Sequence, residues 1–273
     1  MTLLFGTAGI PIATQPRNTI NGIECARELG LGAMEMEFVH SVNISKEAAP
    51  LVKQAAEKNK IRLTCHGQYY INLNSMEKGE DSAKRIMNAA RISWLCGGWS
   101  VCFHAGYYMG QNQPEVYDRI KKNLQGIVKT LRDEGNNIWI RPEVSGKPTQ
   151  FGSLEEIVKL SEEIEGVMPC IDFSHLHART NGLYNTPEEF RQVLTLVEKH
   201  LGRFALQNMH IHLSGIAYGP KGEKNHLILE ESDMDYKNLL KAWKEFNVGG
   251  VVISESPNIE GDALMLRKMY EKL

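Results

Sequence analysis

Eight histidines and acids stand where apolar runs stop. RLTCH ends in His66, SVCFH in His104, IWIRPE in Glu143, MHIH in His212 and VVISE in Glu255. PCID ends in Asp172, with His175 three residues on, and His226 follows the seventh run in KGEKNHL. Imidazole and carboxylate are the donors that hold zinc, or manganese and iron where carboxylates dominate. Each residue also has a purely structural role open to it. A strand-end histidine is more often hydrogen-bonded than ligating. Glu143, after Arg141 and Pro142, can be half of a salt bridge, and Asp172 can cap a helix. His210 and His212 share a strand face, and one of them can simply pack. Taken together, so many ionisable groups are costly to bury at one place unless cations pair them. Zinc takes three or four protein ligands, so this set points to two ions sharing a carboxylate, or to three. Clustered ions hold a phosphate, lower the pKa of bound water and neutralise a leaving alkoxide, which is the apparatus of phosphoester hydrolysis. No serine or cysteine stands in a nucleophile-elbow context to compete with this reading.

Residues so far apart in sequence meet only if the fold gathers strand ends. The runs LLFGTAG, AMEMEFV, RLTCHG, SVCFHAG, IWIRPEV, VMPCIDF, NMHIHLSG and GVVISES alternate with amphipathic segments of helical period. Gly30 is placed to end the first helix, and Pro50 predicts a broken or late-starting second one. Ser153 with Glu156 three residues later has the capping-box arrangement. Eight strand-then-helix units predict an α/β fold, a (β/α)8 TIM barrel as one domain over residues 1–273, with the metal site at the carboxyl ends of its strands. An open doubly wound sheet is the structural alternative, but no GxGxxG turn follows the first strand. Segments 181–185 and 217–225 are expected to be exposed, mobile loops.

Composition agrees with an ordinary globular protein: 42% hydrophobic and 23% charged residues in 273. No apolar run reaches membrane-spanning length, and the N-terminal stretch has no basic n-region, so neither a membrane span nor a signal peptide is expected. The five cysteines are scattered in apolar contexts, which suggests free thiols in a reducing cytoplasm. A net charge of −2 gives no global pull toward nucleic acid.

HGQYYINL (66–73), FHAG (103–106), PEVSG (142–146), CIDFSH (170–175), HIHLSG (210–215), NHLILEES (225–232) and ISES (253–256) resemble the endonuclease IV family of apurinic/apyrimidinic (AP) endonucleases nearly end to end. The resemblance implies a zinc-dependent hydrolase of DNA repair that cuts double-stranded DNA 5′ to abasic sites, in the cytoplasm, with no obligate protein partner. It assigns His66, His104 and Glu143 to a first zinc, and Glu143, Asp172, His212 and Glu255 to a second. His175 and His226 go to a third, and Glu143 and Glu255 are the catalytic carboxylates. Tyr69, Tyr70, His177, Arg179 and Lys224 become candidate substrate contacts.

Three departures matter. The family has an Asp two residues before the loop histidine, where this chain has Lys224. A lysine ammonium has no lone pair for a metal. Two zinc ions with a compromised third are therefore expected, Lys224 placing its charge near a phosphate, although Glu223 is an alternative ligand. Manganese remains an alternative ion. EFVHSVN (37–43) lacks the arginine of the family's DNA-penetrating loop, and Gln68 replaces a proline. Lys147, Lys221 and Arg141 are further candidate phosphate contacts. The competing reading is a xylose isomerase-like sugar isomerase or epimerase, which would use Glu143, Asp172, His212 and Glu255 around one ion. A non-catalytic binder of abasic DNA is the third.

Overall fold

The computed structural model describes residues 2–273. Eight parallel barrel strands run in chain order: Leu3–Ala8, Ala33–Glu37, Arg62–His66, Ser100–Phe103, Trp139–Pro142, Cys170–Asp172, Met209–Leu213 and Gly250–Ser254. Each pairs with its neighbour in sequence, and the eighth returns to the first with Leu3 opposite Gly250. Parallel bridges Ile140–Val167 and Glu143–Cys170 join the fifth strand to the sixth and close the ring. The architecture is a (β/α)8 TIM barrel, not an open sheet.

Local chemistry explains the helix boundaries. Asn18 caps helix Thr19–Glu28, and Gly30 follows it at φ 82°, a left-handed position glycine takes without strain. Helix Ala49–Asn59 starts late, with Pro50 in its first turn, where a missing N–H costs nothing. Ser153 and Glu156 satisfy each other's backbone N–H groups in a capping box.

Two elements differ from expectation. A short helix, Phe173–Arg179, starts directly after the sixth strand. Segment 217–225 is not an irregular loop: it lies in an antiparallel hairpin, Gly215–Gly219 with Gly222–Leu227. Segment 181–185 does connect helices as a loop, with Asn181 and Tyr184 at positive φ.

Side chains alternate across each strand. One set packs between strands and helices as the main apolar core. The other fills the barrel. Ala33, Val251 and Ile253 form a separate small apolar cluster there, with Leu4, Ala8 and Trp99 against it. Above it the interior turns polar: Glu35, Thr64, Cys102, Cys170 and His210 are all buried. All five cysteines are free. Among the described residues no helix is long and apolar enough to cross a membrane.

Candidate metal centre

The strand ends converge as the alternation requires. Asp172 lies opposite His212 in the sheet, and His66 opposite Cys102, two positions before His104. Glu143, wholly buried, sits at the centre. Its Oε2 is 3.2 Å from His66 Nε2 and 3.8 Å from His104 Nε2. Its Oε1 is 3.0 Å from His212 Nδ1, which is 3.3 Å from Glu255 Oε1. Two donor groups therefore share one carboxylate: His66, His104 and Glu143; and Glu143, Asp172, His212 and Glu255. A third comprises His175, His226 and Glu223.

Asp172 serves two purposes. Its Oδ1 accepts the His175 backbone N–H at 2.6 Å, capping the short helix, while buried Oδ2 lacks a hydrogen-bond partner. Glu255 Oε2 is orphaned in the same way.

The ring tautomers follow from their acceptors. His66 Nδ1 faces Gly67 O at 2.8 Å, His175 Nδ1 faces Val144 O at 3.1 Å and His226 Nδ1 faces Glu255 O at 3.2 Å. A carbonyl only accepts, so each Nδ1 carries a proton. Ser145 Oγ spends its hydrogen on Phe151 O and so accepts from His104 Nδ1. All four rings thus aim an Nε2 lone pair into the donor groups. His175 Nε2 and His226 Nε2 face each other at 3.3 Å, an arrangement that needs a shared proton or a cation. The mixed N/O donors, orphaned carboxylate oxygens and converging lone pairs fit divalent ions such as zinc.

Protons take that place when ions are absent. Burial opposes charge on His66, yet Glu143 raises it to about 10. His175 is likewise held well above its usual value, against burial, by Asp172, Glu143 and Glu223. His212 is raised in the same way, against burial, by Cys170, Glu255, Glu35 and Glu143. Burial drives His104 down to about 4. Burial would raise Glu143, but the histidines around it hold it well below the carboxylate range.

Glu223 belongs to the third group because of a β-bulge. Across the hairpin Ala217 pairs with Asn225 and Tyr218 with Glu223, leaving Lys224 as the extra residue. In a regular strand residues three apart face opposite ways; one extra residue returns Glu223 and His226 to the same side. Lys224 is exposed, with its amine beside Gly219. Of the two expectations for this loop, the geometry brings Glu223, the alternative ligand, into the third donor group. Gly146 makes room, since a Cβ there would lie 2.6 Å from Glu223 Oε2.

The other sequence candidates divide. Tyr69 and Tyr70 are 58% and 63% exposed, and the Tyr69 ring lies 6.3 Å from that of His66. His177 does not lie in a loop. It is buried in the short helix, with Nδ1 on Leu183 O and Nε2 3.2 Å from Asp233 Oδ1. Arg179 binds the carbonyls of Ser145, Lys147 and Gln150, clamping the loop after the fifth strand. Arg141 lies buried inside the barrel on Pro169 O and Asn208 O, 4.5 Å over Trp99. Two acids escaped notice, Glu35 and Glu37. Their spacing of two in an otherwise apolar strand was the available signal. Burial and Glu35 push Glu37, at the rim, up to about 8.

Fold and site together define a TIM barrel with imidazoles and carboxylates gathered at one mouth as a candidate metal centre. The chain belongs to the xylose isomerase-like TIM barrel family, whose match spans residues 23–272. An uncharacterised protein of Methanocaldococcus jannaschii is 44% identical over 99% of this chain and 98% of its own length. A protein of Mycoplasma pneumoniae named probable endonuclease 4 is 22% identical over 67% of this chain and 63% of its own. Endonuclease IV from Thermus thermophilus superposes with a TM-score of 0.75 at 18% identity, covering 98% of this chain and 100% of that one. A D-tagatose 3-epimerase-like protein gives 0.73 at 18% identity, covering 97% and 96%.

Proposed function

We propose that this chain is a divalent-metal phosphodiesterase that incises double-stranded DNA 5′ to abasic sites, with zinc as the expected ion. The observation that carries this reading is the set of three adjacent donor groups, two sharing Glu143 and the third meeting them where His175 Nδ1 lies 3.1 Å from Asp172 Oδ2 and 3.3 Å from Glu143 Oε1. Bound there, divalent ions supply Lewis acidity toward a phosphoryl oxygen and lower the pKa of water. The chain's own residues then divide the work. Carbonyls of Gly67, Val144 and Glu255 fix the rings of His66, His175 and His226. Glu143 and Glu255 are the catalytic carboxylates in this reading, and Glu255 Oε2, which has no hydrogen-bond partner, can take up a released proton. Tyr69 and Tyr70 stack on bases exposed at the gap. Lys221 and Lys224, exposed on the hairpin, contact backbone phosphates.

A second reading, a one-ion sugar isomerase or epimerase, draws support from EFVHSVN (37–43), which offers no arginine to meet DNA phosphates. Four of the donors serve it, but His66, His104, His175 and His226 exceed its needs. The deciding experiment is incision of abasic duplex DNA by zinc-loaded chain, abolished by chelation and restored on reloading. Fully loaded chain that leaves the duplex intact, yet interconverts ketose and aldose, would replace the first reading by the second.

A further inference from the structure

His212 differs from the other four histidines of the site. They present Nε2 to the donor groups and each has a neutral oxygen facing Nδ1, although His175 Nδ1 also stands 3.1 Å from Asp172 Oδ2 and 3.3 Å from Glu143 Oε1. His212 presents Nδ1, 3.0 Å from Glu143 Oε1 and 3.3 Å from Glu255 Oε1. Its Nε2 must then carry the proton and point into the barrel. Glu35 Oε1 lies there at 3.0 Å, off the line of an ideal hydrogen bond, with Cys102 Sγ at 3.7 Å. The other Glu35 oxygen accepts from Cys102 Sγ at 3.5 Å and lies 3.1 Å from His210 Nε2. His210 Nδ1 meets Ser100 Oγ at 3.1 Å. Glu35, His210, His212 and Cys102 are all wholly buried.

A carboxylate sealed in a barrel interior is costly, and nothing in the apolar packing requires one. It sits between two imidazoles, one of which reaches the mouth. The geometry points to Glu35 as the positioning residue that fixes the His212 tautomer and raises the basicity of its Nδ1. This inference rests on the metal reading of the site. The arrangement is metal, imidazole, carboxylate, in which the outer acid orients the inner ligand. His210 is a second brace, holding the carboxylate from the far side. Glu35 acts only through His212, because its own oxygens face inward to His210, His212 and Cys102. Cys102, Cys170, His210 and His212 also lie close enough to be considered an ion site in their own right. Glu35 argues against that, since its oxygens already stand 3.0 and 3.1 Å from the two Nε2 atoms such an ion would need.

The test compares native chain with Glu35→Gln, measuring zinc stoichiometry, affinity by chelator competition and the visible spectrum after cobalt substitution. The amide keeps the volume but removes the charge. The expected result is a roughly 10- to 100-fold loss of affinity for one ion, the others unchanged, with an altered cobalt spectrum. The melting temperature of the metal-free variant should not fall in parallel. If Glu35→Gln does not fold, Glu35→Asp withdraws the carboxylate by one methylene and should show a smaller loss for the same ion. Native affinity in the folded variant overturns the inference, as does a fall in metal-free stability alone. A thiolate-to-cobalt charge-transfer band in native chain also overturns it, because the interior residues would then be ligands. Native chain that binds no ion at all fails the metal reading itself, a distinct outcome.

Discussion

Glu143 divides its two oxygens between donor groups, so its loss should be felt in both. Glu143→Gln is expected to lower the ion content by two per chain, as read by elemental analysis; full content would sink the bridging role. In metal-free chain the same change strands buried histidines, and should cost roughly 3–5 kcal/mol in urea unfolding with chelator present. Glu223→Ala should remove one ion, while Lys224→Ala should remove none; the opposite pattern would return the site to its sequence-level reading. The six donors His66, His104, Glu143, Asp172, His212 and Glu255 were legible because strand ends in a strict β/α alternation have only one place to go. Arg179 and His177 were not. Their partners are backbone carbonyls and Asp233, distant in sequence and without compositional trace.

The hairpin shows how an element can hide a residue. Spacing alone puts Glu223 and His226 on opposite faces, and only pairing with Gly215–Gly219 reveals the bulge that reunites them. Deleting Lys224 leaves Glu and His two apart in a regular strand, and should keep the third ion. Inserting a glycine after Lys224 sets them four apart, about 13 Å along a strand and beyond the reach of one ion, and should lose it. Equal ion counts in the two variants would dismiss the bulge argument. Gly146→Ala should also release the third ion while leaving the other two, since its methyl group would occupy the Glu223 carboxylate's space. Helix starts, by contrast, were readable from single residues: Ser153, Glu156 and Pro50 act through neighbours three or four positions away. Removing the Ser153 cap by Ser153→Ala should cost about 1 kcal/mol in chemical unfolding, without changing metal content.

At the scale of the whole molecule, charge at the barrel mouth ties stability to pH. His66 has a pKa near 6.5 unfolded and about 10 in the folded, metal-free chain. A raised folded value stabilises fully below about 6.5, and that contribution fades as pH climbs toward 10. Metal-free chain should therefore become less stable across this window, while ions compete better for deprotonated rings. Thermal unfolding with and without chelator should show the gap between the two forms widening from pH 6.5 upward. A constant gap would mean that the histidines carry no protons for the ions to replace.

The three histidines held above their ordinary range also set how the barrel fills. A stripped chain keeps its cage of acids in register with protons at the positions ions would occupy, so loading is an exchange and not an insertion. Each ion that enters must expel acid into the surrounding water. In a weakly buffered solution a simple indicator dye would follow the filling of the barrel in real time, and acidification would weaken its hold on the ions.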